Sequence, residues 1–230
     1  MKTVRAAFMK SLPVMAGYLI LGTGFGILAH NAGFGFLWAL AMSLLIYAGS
    51  MQYVGIGLLA GGASLLTVIL TTVMVNARHL FYSISMLRYY RDAGPCKPYL
   101  VFSLTDETYS LLCDGKVPDG TDPDRFRFLT SLFNHSYWVL GSVIGSLVSG
   151  ILPFSTAGIE FSMTALFIAS FTEQWITARD RLPAAAGLFG TLLCLFLFGP
   201  DRFLIPAMLL ITLILTLLRN RISAGKKVDA

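Results

Sequence analysis

The sequence predicts an all-α protein: a polytopic integral membrane helical bundle of about seven or eight apolar segments, with broken helices and an internal duplication. Three observations carry that prediction. First, 56% of the 230 residues are apolar, 13% are charged, and the mean hydropathy is +0.72. Soluble domains carry roughly 45–50% apolar and about 25% charged residues, so too little polar surface remains here to cover a core. Second, the apolar residues form eight runs, at about 12–29, 36–59, 64–87, 99–113, 126–150, 156–178, 182–199 and 203–218. Third, the cations sit at the run ends: Lys2, Arg5 and Lys10 before the first, Arg88, Arg91 and Lys97 in a gap, and Arg219, Arg221, Lys226 and Lys227 after the last. The net charge of +5 therefore follows the flanks of a polytopic membrane protein and does not imply nucleic-acid binding.

The same composition excludes disorder and a disulfide framework. Cys96, Cys113 and Cys194 are odd in number and scattered, which suits neither disulfides nor zinc; they read as packing residues. The basic start followed by an apolar run without a small-residue cleavage site predicts a retained signal anchor.

Taken in order, the run at 64–87 has 24 residues and reaches ~36 Å at ~1.5 Å per residue, enough for a ~30 Å hydrocarbon slab. The run at 99–113 reaches only ~22 Å and is rich in polar residues, so it is expected to be tilted, broken or partly inserted. Eight crossings from a cytoplasmic N-terminus put the Arg179-Asp180-Arg181 turn and the C-terminus inside. Arg88 to Lys97 would then face outward with three cations, unless runs three and four are re-entrant; both arrangements stand.

A duplication is expected because Gly22 and Gly26 match Gly141 and Gly145 at an offset of 119 (141 − 22 and 145 − 26). Gln52 matches Gln174 at 122 (174 − 52). The halves would be residues 1–113 and 126–230, joined by a turn-rich polar linker at 114–125. The glycines form two small-xxx-small pairs, whose simplest use is close helix packing.

Intramembrane ionisable groups are costly and therefore informative. Run three carries Asn76, Arg78 and His79. Thr72, Asn76, His79 and Ser83 share one helical face, and Thr71, Arg78, Tyr82 and Ser85 another. Such a helix must face a bundle interior, and Arg78 needs a counter-charge, for which Asp106 and Glu107 are nearest in sequence. Two readings remain: a folding staple with a snorkelling Arg, or a solute path or proton relay. In Tyr47-Ala48-Gly49-Ser50-Met51-Gln52-Tyr53, unwinding at Gly49-Ser50 would free backbone groups to hold a zwitterion; a packing glycine with a capping Gln52 is the alternative. Trp138 and Trp175 are expected in interfacial belts, His135 in a helix–helix hydrogen bond, and Glu160 at an exposed helix start. Neither a P-loop, a dinucleotide fingerprint, a zinc motif nor a nucleophile elbow occurs, so no cofactor and no enzymatic activity are expected. The classes left are a secondary transporter, a passive channel and a membrane assembly subunit.

Together, Gly22-Thr23-Gly24-Phe25-Gly26, Tyr47 to Gln52, Asn76-Ala77-Arg78-His79, Thr105-Asp106-Glu107, and Tyr137-Trp138 with Gly141 and Gly145 resemble the AzlC family, the large subunit of bacterial branched-chain amino acid exporters. Gly158-Ile159-Glu160-Phe161 departs from the family pattern, with Glu in place of Asp. The resemblance implies export of aliphatic amino acids across the prokaryotic inner membrane, with a small AzlD-type membrane subunit as partner. A zwitterion with an aliphatic tail needs an anion site, a cation site and an apolar pocket, which Arg78, Asp106 or Glu107, and the abundant Met, Phe, Ile and Leu can supply.

Overall fold

The computed structural model describes residues 2–151, 181–200 and 203–218, together with Gly158, Phe161, Thr164, Ala165, Ile168, Phe171, Thr172, Trp175 and Ile176. Gln174 and Glu160 lie outside the described residues. Every regular element among the described residues is helical. The chain divides into two compact units, residues 1–163 and 164–230.

In the first unit, α1 (Lys2–Asn31) runs 30 residues and ends where Gly33 turns the chain at φ +88°, with the Phe34 N–H donating to the Ala29 carbonyl. Helices α2 (Phe36–Leu45) and α3 (Gly49–Ala60) follow, then α4 (Leu65–Asn76) and α5 (Arg78–Tyr90). Ser64 caps α4 by accepting the Thr67 N–H at 3.2 Å. Short helices α6 (Lys97–Phe102) and α7 (Asp106–Leu112) precede the 29-residue α8 (Pro123–Ile151). No helix lies between Leu112 and Pro123, where Gly115 and Gly120 adopt positive φ.

The axis of this unit is the α1–α8 pair. Phe8 meets Phe133, Ser11 bonds Tyr137 at 3.0 Å, Gly22 faces Gly141, and Asn31 accepts from Ser149 at 2.9 Å. The numbers rise together, so the helices are parallel. A Cβ on Gly22 would lie 2.9 Å from the Trp138 carbonyl oxygen, and one on Gly141 2.8 Å from that of Leu19. At Gly26 and Gly145 a Cβ would overlap the Ser142 and Thr23 backbones outright. The two glycine pairs therefore let two backbones touch.

Runs two and four fold back on themselves. Gln52 donates to Ser43 at 3.1 Å and Gly55 approaches Met42, contacts that a continuous helix could not make across nine and thirteen residues. The turn is Ile46-Tyr47-Ala48, with Tyr47 at φ +44°, so the chain opens just before Gly49 and not at Gly49-Ser50. In run four, α6 and α7 form a hairpin about Ser103-Leu104-Thr105. Its two ends return to one level: Tyr99 packs on Phe128, while Leu112 joins Ala7, Met86, Tyr90, Ala93, Leu100 and Phe126 in one core cluster. Run three is bent by 43° between α4 and α5, the geometry of either a broken span or a re-entrant pair. The Arg88–Lys97 segment thus lies beside the N-terminal ends of α1 and α8, where Arg127 donates to the Tyr89 carbonyl at 3.3 Å. Run two therefore folds back as run four does.

Among the described residues, α1 alone is long and apolar enough to cross a membrane, and α4 with α5 adds a second span if the bent pair is one. Helix α8 matches α1 in length but buries Arg127, Thr130, Ser131, Asn134, His135, Ser142, Ser146 and Ser149.

In the second unit, α9 (Leu182–Phe198) and α10 (Leu204–Leu217) pack together, Gly190 admitting Ile211. Cys194 is buried there, consistent with a packing role, whereas Cys96 and Cys113 of the first unit are half-buried; all three are free thiols.

Candidate functional site

Among the described residues, three apolar runs of the first unit are broken inside, at 46–48, at Ala77 and at 103–105, and their flanking residues come together. Arg78, first residue of α5, places Nη1 2.6 Å from Asp106 Oδ2 and donates from Nη2 to Ser50 Oγ at 2.6 Å. Asp106 opens α7 and Ser50 lies in the first turn of α3. One guanidinium therefore ties three broken segments. The Arg78 and Asp106 side chains are 28% and 26% exposed, so the pair is accessible without being bathed in solvent.

Glu107, the next residue, takes a different partner. The Tyr18 hydroxyl lies 2.6 Å from Glu107 Oε2 and 2.7 Å from Thr105 Oγ1. Since a carboxylate only accepts, Tyr18 donates to Glu107. Thr105 also caps α7 by accepting the Thr108 N–H at 3.3 Å. Asp106 and Glu107 occupy the first turn of α7, where the helix dipole favours anions. The N–H groups of Gly49, Ser50 and Met51 at the start of α3 precede the first intrahelical bond, from Gln52 to Ala48, and Ala48 supplies no side-chain cap. The site thus holds one guanidinium, two carboxylates and a helix start whose first N–H donors have no partner among the described residues.

Beneath it lies a buried polar scaffold. Gln52 is 0% exposed; its amide donates to Ser43 and its Oε1 accepts the Trp138 indole N–H at 2.9 Å. Trp138, 3% exposed, stacks on Phe25, so it is an interior residue and not a belt residue. His135 makes two helix-to-helix bonds: Nε2 with the Ser43 carbonyl and Nδ1 with the Tyr99 hydroxyl, both 3.0 Å. Because a carbonyl only accepts, Nε2 carries a proton, and in the neutral ring Tyr99 then donates to Nδ1. Asn134 donates to Thr108 Oγ1 at 3.0 Å, fastening α7 to α8.

The sequence-predicted residues therefore separate into groups. Arg78, Asp106 and Ser50 are joined, and Glu107 lies beside them on the same turn. His79 Nδ1 is 3.1 Å from the Asn76 carbonyl and its ring faces Tyr82, while Asn76 Oδ1 is buried with no hydrogen-bond partner among the described residues. Gly49 and Gln52 lie against Trp138, behind the hairpin tip, and Gln174 is not described. Sequence reasoning missed Tyr18. Its signal was a phenol amid an apolar run, four residues before Gly22 on the face that α1 buries.

A Cβ at Gly49 would lie 2.9 Å from the Trp138 ring, which Gln52 holds in place. Gly49→Ala is expected to cost about 1–3 kcal/mol by overpacking. Gly57→Ala, with open space around it, should melt with the parent protein. Equal thermal midpoints for the two variants would show that the ring yields.

Fold and site describe a helical protein with ionisable groups gathered at interrupted helices. The family profile described as AzlC protein matches residues 13–152. The chain is 44% identical to the branched-chain amino acid transport protein AzlC of Bacillus subtilis, over 94% of this chain and 85% of the relative. It is 42% identical to an uncharacterized membrane protein of Haemophilus influenzae, over 94% and 89%, and 32% identical to the inner membrane protein YgaZ of Escherichia coli, over 84% and 83%. No solved structure matches. The chain belongs to the AzlC family.

Proposed function

We propose that this chain is the large subunit of a secondary active exporter that moves branched-chain or similar aliphatic amino acids out of the cytoplasm, coupled to protons and completed by a small AzlD-type membrane subunit. The observation that carries the reading is the meeting of three chain breaks at Arg78, Ser50, Asp106 and Glu107. A zwitterion's carboxylate suits Arg78 and the open N-terminus of α3, and its ammonium suits Asp106 or Glu107. A passive channel needs a continuous polar lining, whereas these polar groups form a cluster. The name of the Bacillus subtilis relative supports the substrate class. Proteoliposomes loaded with labelled valine, with and without the small subunit, test the proposal when flux and internal pH are followed together. Gradient-dependent flux is expected; flux unchanged after the proton gradient is collapsed removes the coupling.

In this reading α2–α3 and α6–α7 are re-entrant hairpins entering from opposite sides. The N-terminal ends of α1 and α8, Arg88 to Lys97, and the 114–125 loop then share the cytoplasmic side, which brings the otherwise misplaced cations into agreement with the charge rule. Cys96 and Cys113 flank the α6–α7 hairpin. Both should react with an impermeant maleimide from the cytoplasmic face only. Labelling from opposite faces would restore eight crossings. The halves 1–113 and 126–230 are proposed as repeats, supported by glycine pairs that face each other and by Tyr18 and Tyr137 at the same offset of 119 (137 − 18).

A further inference from the structure

A groove with a cavity volume of about 510 Å³ opens between the N-terminal ends of α1 and α8, lined by Val4, Arg5, Phe8, Arg125 and Phe133. It lies at the helix ends, away from the Arg78 cluster, and the transport reading does not use it. We propose that this groove binds an anionic phospholipid, with its phosphate between Arg5 and Arg125 and an acyl chain over Phe8 and Phe133.

The argument rests on how charge and apolar surface are layered. Arg5 precedes Phe8 by three residues and Arg125 precedes Phe133 by eight, so on parallel helices both arginines branch from the backbone nearer the groove's outer end, by ~4.5 Å and ~12 Å of helix rise. Phe8 and Phe133 meet edge to face at 5.6 Å and form an apolar floor. A molecule with an anionic head and a hydrocarbon tail matches that order, whereas a small inorganic anion leaves the rings uncovered. Neighbouring acids do not satisfy the two cations. Asp124 pairs with Arg127 at 3.0 Å, and the Asp122 carboxylate accepts the Arg125 backbone N–H at 2.7 Å. Neither Arg5 nor Arg125 forms an ion pair among the described residues. Basic recesses between membrane helices select anionic headgroups through the same complementarity.

The test is native mass spectrometry of the full-length protein from detergent, titrated with phosphatidylglycerol or phosphatidylcholine. Phosphatidylglycerol should be retained in preference, and Arg5→Gln/Arg125→Gln should weaken its retention by about 30-fold, at ~1 kcal/mol per cation. Arg5→Lys/Arg125→Lys keeps the charge and should retain most of it, which separates lost binding from lost folding. Phe8→Ala/Phe133→Ala should weaken lipid retention as well. Equal retention of both lipids, unchanged retention in the Gln pair, or full displacement by inorganic phosphate would each overturn the proposal.

Discussion

Arg78→Gln should reduce leucine and valine flux by at least about 100-fold while the chain still reaches the membrane. Removing one member of a partly buried, hydrogen-bonded charge pair costs about 3 kcal/mol or more, most of it from the partner left uncompensated. Here that partner is Asp106, whose Oδ2 receives Arg78 at 2.6 Å. Stability and transport can be told apart with a second substitution. Arg78→Gln/Asp106→Asn removes the stranded charge, so its thermal midpoint should recover toward that of the parent, while flux stays lost because no guanidinium remains to meet a carboxylate. Flux in proteoliposomes and thermal unfolding of the same preparations check this. A double variant that transports like the parent would reduce Arg78 to a staple.

The second large effect is expected at the α1–α8 contact. Gly145→Ala puts a methyl group into the Thr23 backbone, and Gly26→Ala puts one into that of Ser142. Backbone cannot swing aside as a side-chain tip can, so each substitution must pry the helices apart and disturb the packing on both sides. We expect a loss of about 3 kcal/mol or more and little monodisperse protein after purification. Gly17→Ala, on the same helix with nothing within 4 Å, should purify and melt like the parent. Parent-like behaviour of Gly145→Ala would mean that α1 and α8 are not in backbone contact.

Helix content, the polar character of run four and the need of Arg78 for an acid from the Asp106-Glu107 pair were legible because each follows from local chemistry. Apolar runs form helices, a charge in an apolar span needs an opposite charge, and a run too short to cross must break or tilt. The fold-back of run two was not legible in its length: 24 residues read equally as a crossing, and the reversal shows in the Ser43–Gln52 bond and the approach of Gly55 to Met42. Nor could sequence assign the partners of Asp106 and Glu107. Adjacent residues on a helix point about 100° apart, and which of them meets Arg78 and which meets Tyr18 depends on tertiary placement of α7. Trp138 was misjudged because an indole serves both belts and interiors, and the decision rests on whether Gln52 is there to accept its N–H.

The glycine contact between α1 and α8 also sets a schedule for biogenesis. Its members are 119 residues apart, so at roughly 5–20 residues per second the first helix waits about 6–24 seconds for the second to be synthesised. During that interval Ser11 and Asn31 have yet to meet Tyr137 and Ser149, and the glycine groove lies open. Whatever shields α1 in the interim must leave when α8 arrives, which makes late assembly the stage at which this chain is most exposed to quality control.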